Sequence, residues 1–335
     1  MYRVVLTKEI NPTLRQSEDI TKFVSELTWS ENLDTVGLTL SFSVPDTNAE
    51  FVPRLKIMAG DIIQIFNGEG ELIRAVVVNI SRSYPKRTVK AFDFGFYLNK
   101  NDIVIQFKDK SVSECLKELF YHVGVTTGSV CDMPAKVKSV YIKNVNEIIK
   151  ELIKIQQDND GKKYYYEMRA EKIYVFQLPT KPMSYIFKPT VNTAEFDVTD
   201  KNAHGRGTYS CSIENMRNSI IAEVNSKTSG EMPEKMFYAR DPESIRKHGL
   251  LAENYNVNSD DADNIKELAK NELKEKNVIK QELSMDFIGH DNARPGRVIR
   301  VIDEYLGING NFRIKSVSHK INGSIHTMSC TLERI

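Results

Sequence analysis

His319 and His326 stand on either side of the Asn322-Gly323 turn, so the two arms of one hairpin can bring their imidazoles together, which is one way to hold a transition metal. No third ligand lies nearby in the sequence, and two imidazoles leave a tetrahedral site half filled. The other histidines, His122, His204, His248 and His290, are dispersed, and none stands beside a nucleophile in a Gly-x-Ser-x-Gly signature. Asp158-Asn159-Asp160-Gly161 opens like a calcium loop, yet the later oxygen ligands of the twelve-residue pattern are missing, and the segment reads as a polar turn. Gly68-x-Gly70 and Gly205-x-Gly207 lack the third glycine and the strand-to-helix setting of a dinucleotide fingerprint, so both read as turns. Cys115, Cys131, Cys211 and Cys330 show no Cys-x-x-Cys spacing and read as buried free thiols. The acids Asp260, Asp261 and Asp263 gather where a helix begins, which its dipole explains without catalysis. Among 45 acidic residues no glycosidase pair can be singled out. No catalytic, cofactor-binding or metal residue is assigned.

The elements carry more information than these residues. With 335 residues and 41% apolar side chains the chain can build two to four cores. Its 46 basic and 45 acidic residues nearly cancel, which argues against a dedicated nucleic-acid binder. No segment approaches the ~20 apolar residues that span a bilayer, and the N-terminus alternates like a strand where an export signal would be continuously apolar. Synthesis in a cytoplasm, without a Sec-type export signal, is the expectation.

To about Gly95 the pattern is β. Phe23–Trp29 and Leu38–Val44 alternate with period two, and Trp29, the one tryptophan, reads as core. Ser111 and Glu114 form a capping box for a helix through about Val123, ended by Gly124. A second helix opens at Asn144, with Glu147 as its box partner, and stops near Asp158–Gly161. Tyr164–Met168 and Lys172–Phe176 read as a hairpin closed by Arg169-Ala170-Glu171. Pro179, Pro182 and Pro189 mark a junction, after which Glu195–Thr199 and Asn218–Val224 return to β texture. Ser226–Glu231 reads as a loop, Asp241-Pro242-Glu243 as the start of a short helix, and Ser259 to about Asn277 as the longest helix.

One β-unit occurs twice. Gly60-Asp61-Ile62-Ile63-Gln64-Ile65 is answered by Gly296-Arg297-Val298-Ile299-Arg300-Val301, each followed by a glycine-bearing turn. The next strand carries Asn79-Ile80-Ser81-Arg82 in the first copy and Ser316-Val317-Ser318-His319 in the second, 20 residues from glycine to aliphatic in one and 21 in the other. Alternation and Asn-Gly turns occur in any half-buried hairpin. Agreement of order and spacing, extended by Thr88–Phe92 and Thr327–Leu332, argues for duplication. The expected fold is mixed α+β, mainly β, with two related β-barrel domains, the second discontinuous. The first β-barrel covers residues 1–95, a small α+β domain covers 96–180, the second barrel takes 181–230 plus 280–335, and 231–279 form a helical insertion.

Asp19–Ser30, Ala91–Leu98, Ser212–Asn218, and Pro295–Val301 through His326–Ser329 together make the chain resemble the baseplate hub proteins of contractile phage tails and phage-tail-like bacteriocins, in particular the XkdQ/YqbQ type of PBSX-like prophages. The resemblance implies a structural, non-enzymatic hub without cofactors: a homotrimer whose six β-barrels join a sixfold tail tube to a threefold spike protein, alongside tape-measure and baseplate proteins, within a virion tail or tail-like particle. It implies synthesis in a bacterial host cytoplasm; hydropathy and charge lead to the expectation of no membrane insertion and no specific nucleic-acid binding. Two rival readings stand beside it. One is a peptidoglycan-degrading tail enzyme using carboxylates in an interdomain groove, and the other a carbohydrate-binding module for which Tyr164-Tyr165-Tyr166 is the hint.

Overall fold

The computed structural model describes residues 2–11, 14–35, 37–47, 55–184, 186–187, 207–224, 233, 235–257, 259–304 and 306–335. The expected strand at Glu195–Thr199, the loop at Ser226–Glu231, Pro189 and His204 lie outside these residues. In chain order, β1 (Tyr2–Asn11), β2 (Leu14–Asp19), β3 (Ser25–Asn32), β4 (Thr39–Pro45), β5 (Ile62–Asn67), β6 (Gly70–Ser83) and β7 (Lys86–Asp93) come first. They are followed by α1 (Gly95–Lys100), β8 (Asp102–Ser111), α2 (Val112–His122), β9 (Thr126–Val130), β10 (Lys136–Asn144), α3 (Val145–Asp160), β11 (Tyr164–Arg169) and β12 (Lys172–Gln177). Next are β13 (Ile186–Phe187), β14 (Gly207–Ser212), β15 (Ser219–Val224), β16 (Lys235–Arg240), α4 (Pro242–His248), β17 (Ala252–Val257) and α5 (Ile265–Lys276). The chain ends in β18 (Lys280–Ile288), β19 (Val298–Asp303), β20 (Ile308–Asn322) and β21 (Ile325–Arg334). The fold is mixed α+β and mainly β. It divides into two compact units, residues 1–208 with 283–333 and 335, and residues 209–282 with 334.

The largest sheet has the order β14-β18-β21-β20-β3-β4-β7-β6-β5-β1-β2, with β13 beside β19 and β19 beside β20. Within it the order β5-β6-β7-β4-β3 has a counterpart in β19-β20-β21-β18-β14. The likeness extends to single hydrogen bonds. Gly60 and Gly296 both sit at positive φ, +94° and +82°. Gly60 N–H donates to Val77 O and Val77 N–H to Asp61 O, both at 2.8 Å; Gly296 N–H donates to Ile314 O and Ile314 N–H to Arg297 O, again at 2.8 Å. Each glycine thus starts a strand at a point where a side chain would strain the backbone. The hairpin turns also match, with Gly68 at +63° and Gly307 at +66°.

Alternation decides which side of each strand is buried. Leu27, Trp29, Leu40, Phe42, Ile63, Ile65, Val89 and Ala91 fill one core. A second core holds α2 and α3 against β8 to β12 through residues such as Leu116, Phe120, Ile148, Leu152, Phe107 and Ile173. Ser111 and Glu114 make a reciprocal capping box on α2. On α3 the Asn144 side chain accepts instead from Asn146 N–H, so Glu147 is not its box partner. The helix runs on through Asp160 to left-handed Gly161 (φ +68°), which makes the Asp-Asn-Asp-Gly segment a helix end. Asp160 accepts from Tyr164 Oη–H and Gln156 Nε2–H, so this carboxylate is committed to the protein's own groups.

The second unit differs from the expected helical insertion. β15 is central, antiparallel to β16 and parallel to β17, and α5 packs on this sheet through Ile265 and Ala269. The apolar strand Ser219–Val224 therefore belongs to this three-stranded sheet and not to the terminal strands, because an apolar run does not specify its partner. Residues 259–264 form a 3-10 turn, so α5 has 12 residues and α3, with 16, is longer.

The two strand-initiating glycines differ in their surroundings. A Cβ at Gly60 would meet nothing within 4 Å, whereas one at Gly296 would lie 2.8 Å from Leu178 Cδ2. Gly60→Ala is expected to cost about 1 kcal/mol of backbone strain, and Gly296→Ala an additional ~1–3 kcal/mol of overpacking. Urea denaturation of both variants checks the order; equal losses would show that Leu178 yields freely.

Candidate functional site

The two β-units meet where β3 pairs antiparallel with β20, from Leu27 opposite Ile321 to Asn32 opposite Ser316. Strand alternation sends this junction's side chains to two different environments. On the buried face Trp29 stacks on His319, with ring centroids 4.7 Å apart and planes 14° from parallel. His319 Nδ1 lies 2.9 Å from His326 Nε2, and its Nε2 lies 3.1 Å from Ala293 O. Beyond His326, the Tyr2 hydroxyl is 2.7 Å from Nδ1 and donates to Asp291 Oδ1 at 2.5 Å, while Asn67 Nδ2 donates to Asp291 Oδ2.

The hairpin therefore does bring His319 and His326 together, and each nitrogen is occupied by a protein group. With both rings neutral, Ala293 O requires the proton on His319 Nε2, so His319 Nδ1 accepts from His326 Nε2–H. His326 Nδ1 is then an acceptor, and the single Tyr2 hydroxyl proton faces two acceptors. The nitrogens a metal would need are engaged in this chain, and no cluster of three or more metal-ligating side chains occurs among the described residues. His122 and His248 lie in the last turns of α2 and α4.

A second polar cluster ties β11 and the segment before β19 to β3. Arg294 donates from Nη2 and Nε to Glu31 Oε2 at 2.7 and 3.0 Å, and from Nη2 to Met168 O at 2.9 Å. Arg297 Nη2 and Arg169 Nε both donate to Glu167 Oε1, at 2.7 and 2.6 Å. Burial raises the Glu167 carboxyl, but Arg294, Arg297 and Arg169 outweigh it and hold the group below the usual carboxylate range. Beside them Asp93 is fully buried, which pushes its carboxyl up to about 7 although Gly95 N–H donates to it at 3.0 Å. The adjoining cavity, lined by Glu31, Asp93, Glu167 and Arg294, is about 20 Å³, room for a water molecule and not for a sugar. These carboxylates pin elements together.

The opposite face of the junction is lined by hydroxyls. Ser30, Thr39, Thr208, Ser284, Ser316, Ser318, Ser329 and Thr331 surround a concavity of about 600 Å³, and no lysine or arginine is among its lining residues. The tyrosine run is largely packed inward: Tyr164 and Tyr165 are buried, and Tyr166 Oη–H donates to Asn146 Oδ1. Cys115 and Cys330 are buried free thiols as expected, whereas Cys131 is half-buried and Cys211, on the edge strand β14, is exposed. Burial pushes the Cys115 thiol up to about 11.

Glu31, Glu167, Arg294 and Arg297 were not singled out by sequence motif. One signal for Glu31 was present, since it continues the Leu27, Trp29 apolar face at the same parity. Its partner lies 263 residues away, beyond any local pattern.

The sequence profile of the YQBQ-like family matches residues 27–333. None of the curated proteins compared matches the sequence. Among solved structures, a tail protein from Neisseria meningitidis MC58 is similar, with a TM-score of 0.71 at 12% identity over 99% of this chain and 96% of that one. The 43 kDa tail protein of prophage MuSo2 from Shewanella oneidensis has a TM-score of 0.67 at 11% identity, covering 99% and 98%. Prophage tail protein gp18 from Listeria monocytogenes EGD-e has a TM-score of 0.59 at 14% identity, covering 99% and 94%. At these identities the likeness is one of fold.

Two outcomes test the site. Burial lowers His319 to about 3, with His326 beside it acting in the same direction, so the unfolded chain binds the proton more readily than the folded one. The resulting stability is present above pH ~6.5 and is lost as pH falls, by about 2 kcal/mol at pH 5. Urea midpoints at pH 7 and 5 should therefore fall less in His319→Phe than in the parent; parallel slopes would exclude the effect. Asp93 acts in the opposite sense but is common to both proteins. Glu167→Ala, which strips a buried carboxylate from three arginines, is expected to cost about 3 kcal/mol, against under ~0.5 kcal/mol for the exposed Lys270→Ala, both by denaturant titration.

Proposed function

Because the chain belongs to the YQBQ-like family, we propose that it is a structural hub subunit of a phage-type tail, closing as a homotrimer that joins a sixfold tube to a threefold spike. The observation that carries this reading is the repeated β-unit, in which Gly60 and Gly296 make corresponding pairs of hydrogen bonds and the strand order recurs. Two like units per chain let three chains present six like faces, which resolves the mismatch between a hexameric ring and a trimeric spike. In this reading residues 1–95 supply the first face, β14 and the strands from β18 onward supply the second, and residues 96–180 form the α+β domain on the spike side.

The hydroxyl-lined face suits a channel wall. A net charge of +1 and a concavity without lysine or arginine give passing nucleic acid few phosphate contacts to grip. The buried carboxylates support a mechanical role over the rival tail-enzyme reading, because their arginine partners hold them in the packing. Tube, spike, tape-measure and baseplate proteins are the partners proposed, and a virion tail or tail-like particle is the place of assembly.

Analytical ultracentrifugation and electron microscopy of the purified chain, alone and mixed with the tube and spike proteins of its own tail, test the proposal. A threefold particle with six similar lobes around a channel is expected. A chain that stays monomeric in every mixture would overturn it.

A further inference from the structure

The cluster on the buried face of the β3–β20 junction is one proton short. Four polar contacts run in series: Ala293 O with His319 Nε2, His319 Nδ1 with His326 Nε2, His326 Nδ1 with the Tyr2 hydroxyl, and that hydroxyl with Asp291 Oδ1. Each contact brings two lone-pair atoms together and needs one hydrogen between them. Two neutral imidazoles and one phenol supply three hydrogens to these four contacts, because an ionised Asp291 supplies none. The neighbouring groups do not make up the difference. Asn67 Nδ2 donates to the other Asp291 oxygen, and His290 Nδ1 itself accepts from Asn292 N–H. Burial and Asp291 push the Tyr2 phenol up, so Tyr2 keeps its single proton.

We propose that the cluster binds one further proton, held as the imidazolium of His326, and that this proton latches β1 to the β20–β21 hairpin. His326 Nε2–H then donates to His319 Nδ1, its Nδ1–H to the Tyr2 oxygen, and the Tyr2 hydroxyl to Asp291, so every contact is satisfied and the added charge offsets the carboxylate. Of the two rings His326 is the one to carry it. It stands one hydroxyl away from Asp291, whereas His319 is 1% exposed and both His326 and Arg294 oppose a charge there. The titratable groups facing His326 are Tyr2 from β1, His319 from β20, and Asp291 and His290 from the segment before β19; Trp29 on β3 adds an uncharged ring. Burial and His290 outweigh Asp291 and by themselves push the imidazole down. The Tyr2 contact reverses that balance, because it is lone pair against lone pair without the added proton and a charge-assisted hydrogen bond with it. Tyr2 and Asn67 also line a groove of about 1160 Å³, which gives protons a route to the cluster. Once the proton leaves, Tyr2 serves His326 or Asp291 but not both, and the latch between the first β-unit and the terminal hairpin loosens.

An imidazole that holds its proton more tightly in the folded chain than in the unfolded one contributes stability that is fully present below pH ~6.5 and is lost as pH rises through the folded value. The test uses the full chain with ring-¹⁵N histidine, the His326 signals being those missing from His326→Gln. At pH 7 His326 should show two protonated ring nitrogens, and His319 one. Asp291→Asn places an amide N–H where the carboxylate oxygen faced Tyr2, so the side chain itself brings the missing hydrogen and leaves its own oxygen for Asn67. In that variant His326 should lose at least about tenfold in proton affinity and show one protonated nitrogen at pH 7. Stability gives a second readout. Between pH 7 and 9 the urea midpoint should fall in the parent and fall less in Asp291→Asn, with Asp93 common to both. A single protonated nitrogen on His326 in the parent at pH 7, or equal alkaline falls in parent and variant, would overturn the proposal.

Discussion

Backbone hydrogen bonding at the β3–β20 junction is the constraint on which the first unit depends. A strand edge carries a row of amide and carbonyl groups that must find partners or water. Here Leu27–Asn32 and Ile321–Ser316 satisfy one another, and that single pairing turns two β-units into one sheet. Its buried face carries the Trp29–His319 stack, and Glu31 on the same face anchors Arg294. The ladder is indifferent to side chains, whereas these contacts are not. They fix the register, since a one-residue slip would turn Trp29 and Glu31 to the hydroxyl-lined side.

The charged cluster around Glu167 and Arg294 has a different task. A buried ion pair contributes little net stability against an apolar substitute, but losing one partner is costly. Such a cluster specifies geometry: Arg294 bonds Glu31 on β3 and Met168 O on β11, so the α+β layer has one seat on the sheet. The pair Arg74–Glu171, at 2.5 Å, adds a second point of attachment between β6 and the β11–β12 turn. Rigid seating of this kind accounts for the burial of these carboxylates.

Much of the local structure was legible in the residues. Period-two alternation located β3, β4 and the glycine-led strands, and Ser111 with Glu114 located the start of α2. Partner choice was not legible. Ser219–Val224 has the apolar content of a terminal-sheet strand, yet it pairs with β16 and β17, because burial on both faces looks the same in either sheet. The acids before α5 read as a helix start, while the backbone there is a 3-10 turn with Asp263 bound to Lys235 Nζ at 2.7 Å. His319 and His326 were visible as neighbours across a hairpin, but Tyr2 and Asp291, which complete their cluster, lie at remote positions. Spacing reveals elements and hairpins; contacts between distant segments need the fold.

The junction also sets an order of events during synthesis. Ile321 follows its partner Leu27 by 294 residues, so the N-terminal β-unit leaves the ribosome with the β3 edge bare while the intervening segments are made. Contacts this far apart in sequence slow folding and leave sticky edges available to the wrong neighbour, including the same edge on another nascent chain. Polysomes crowd such chains together, so the bare β3 edge needs shielding until β20 emerges.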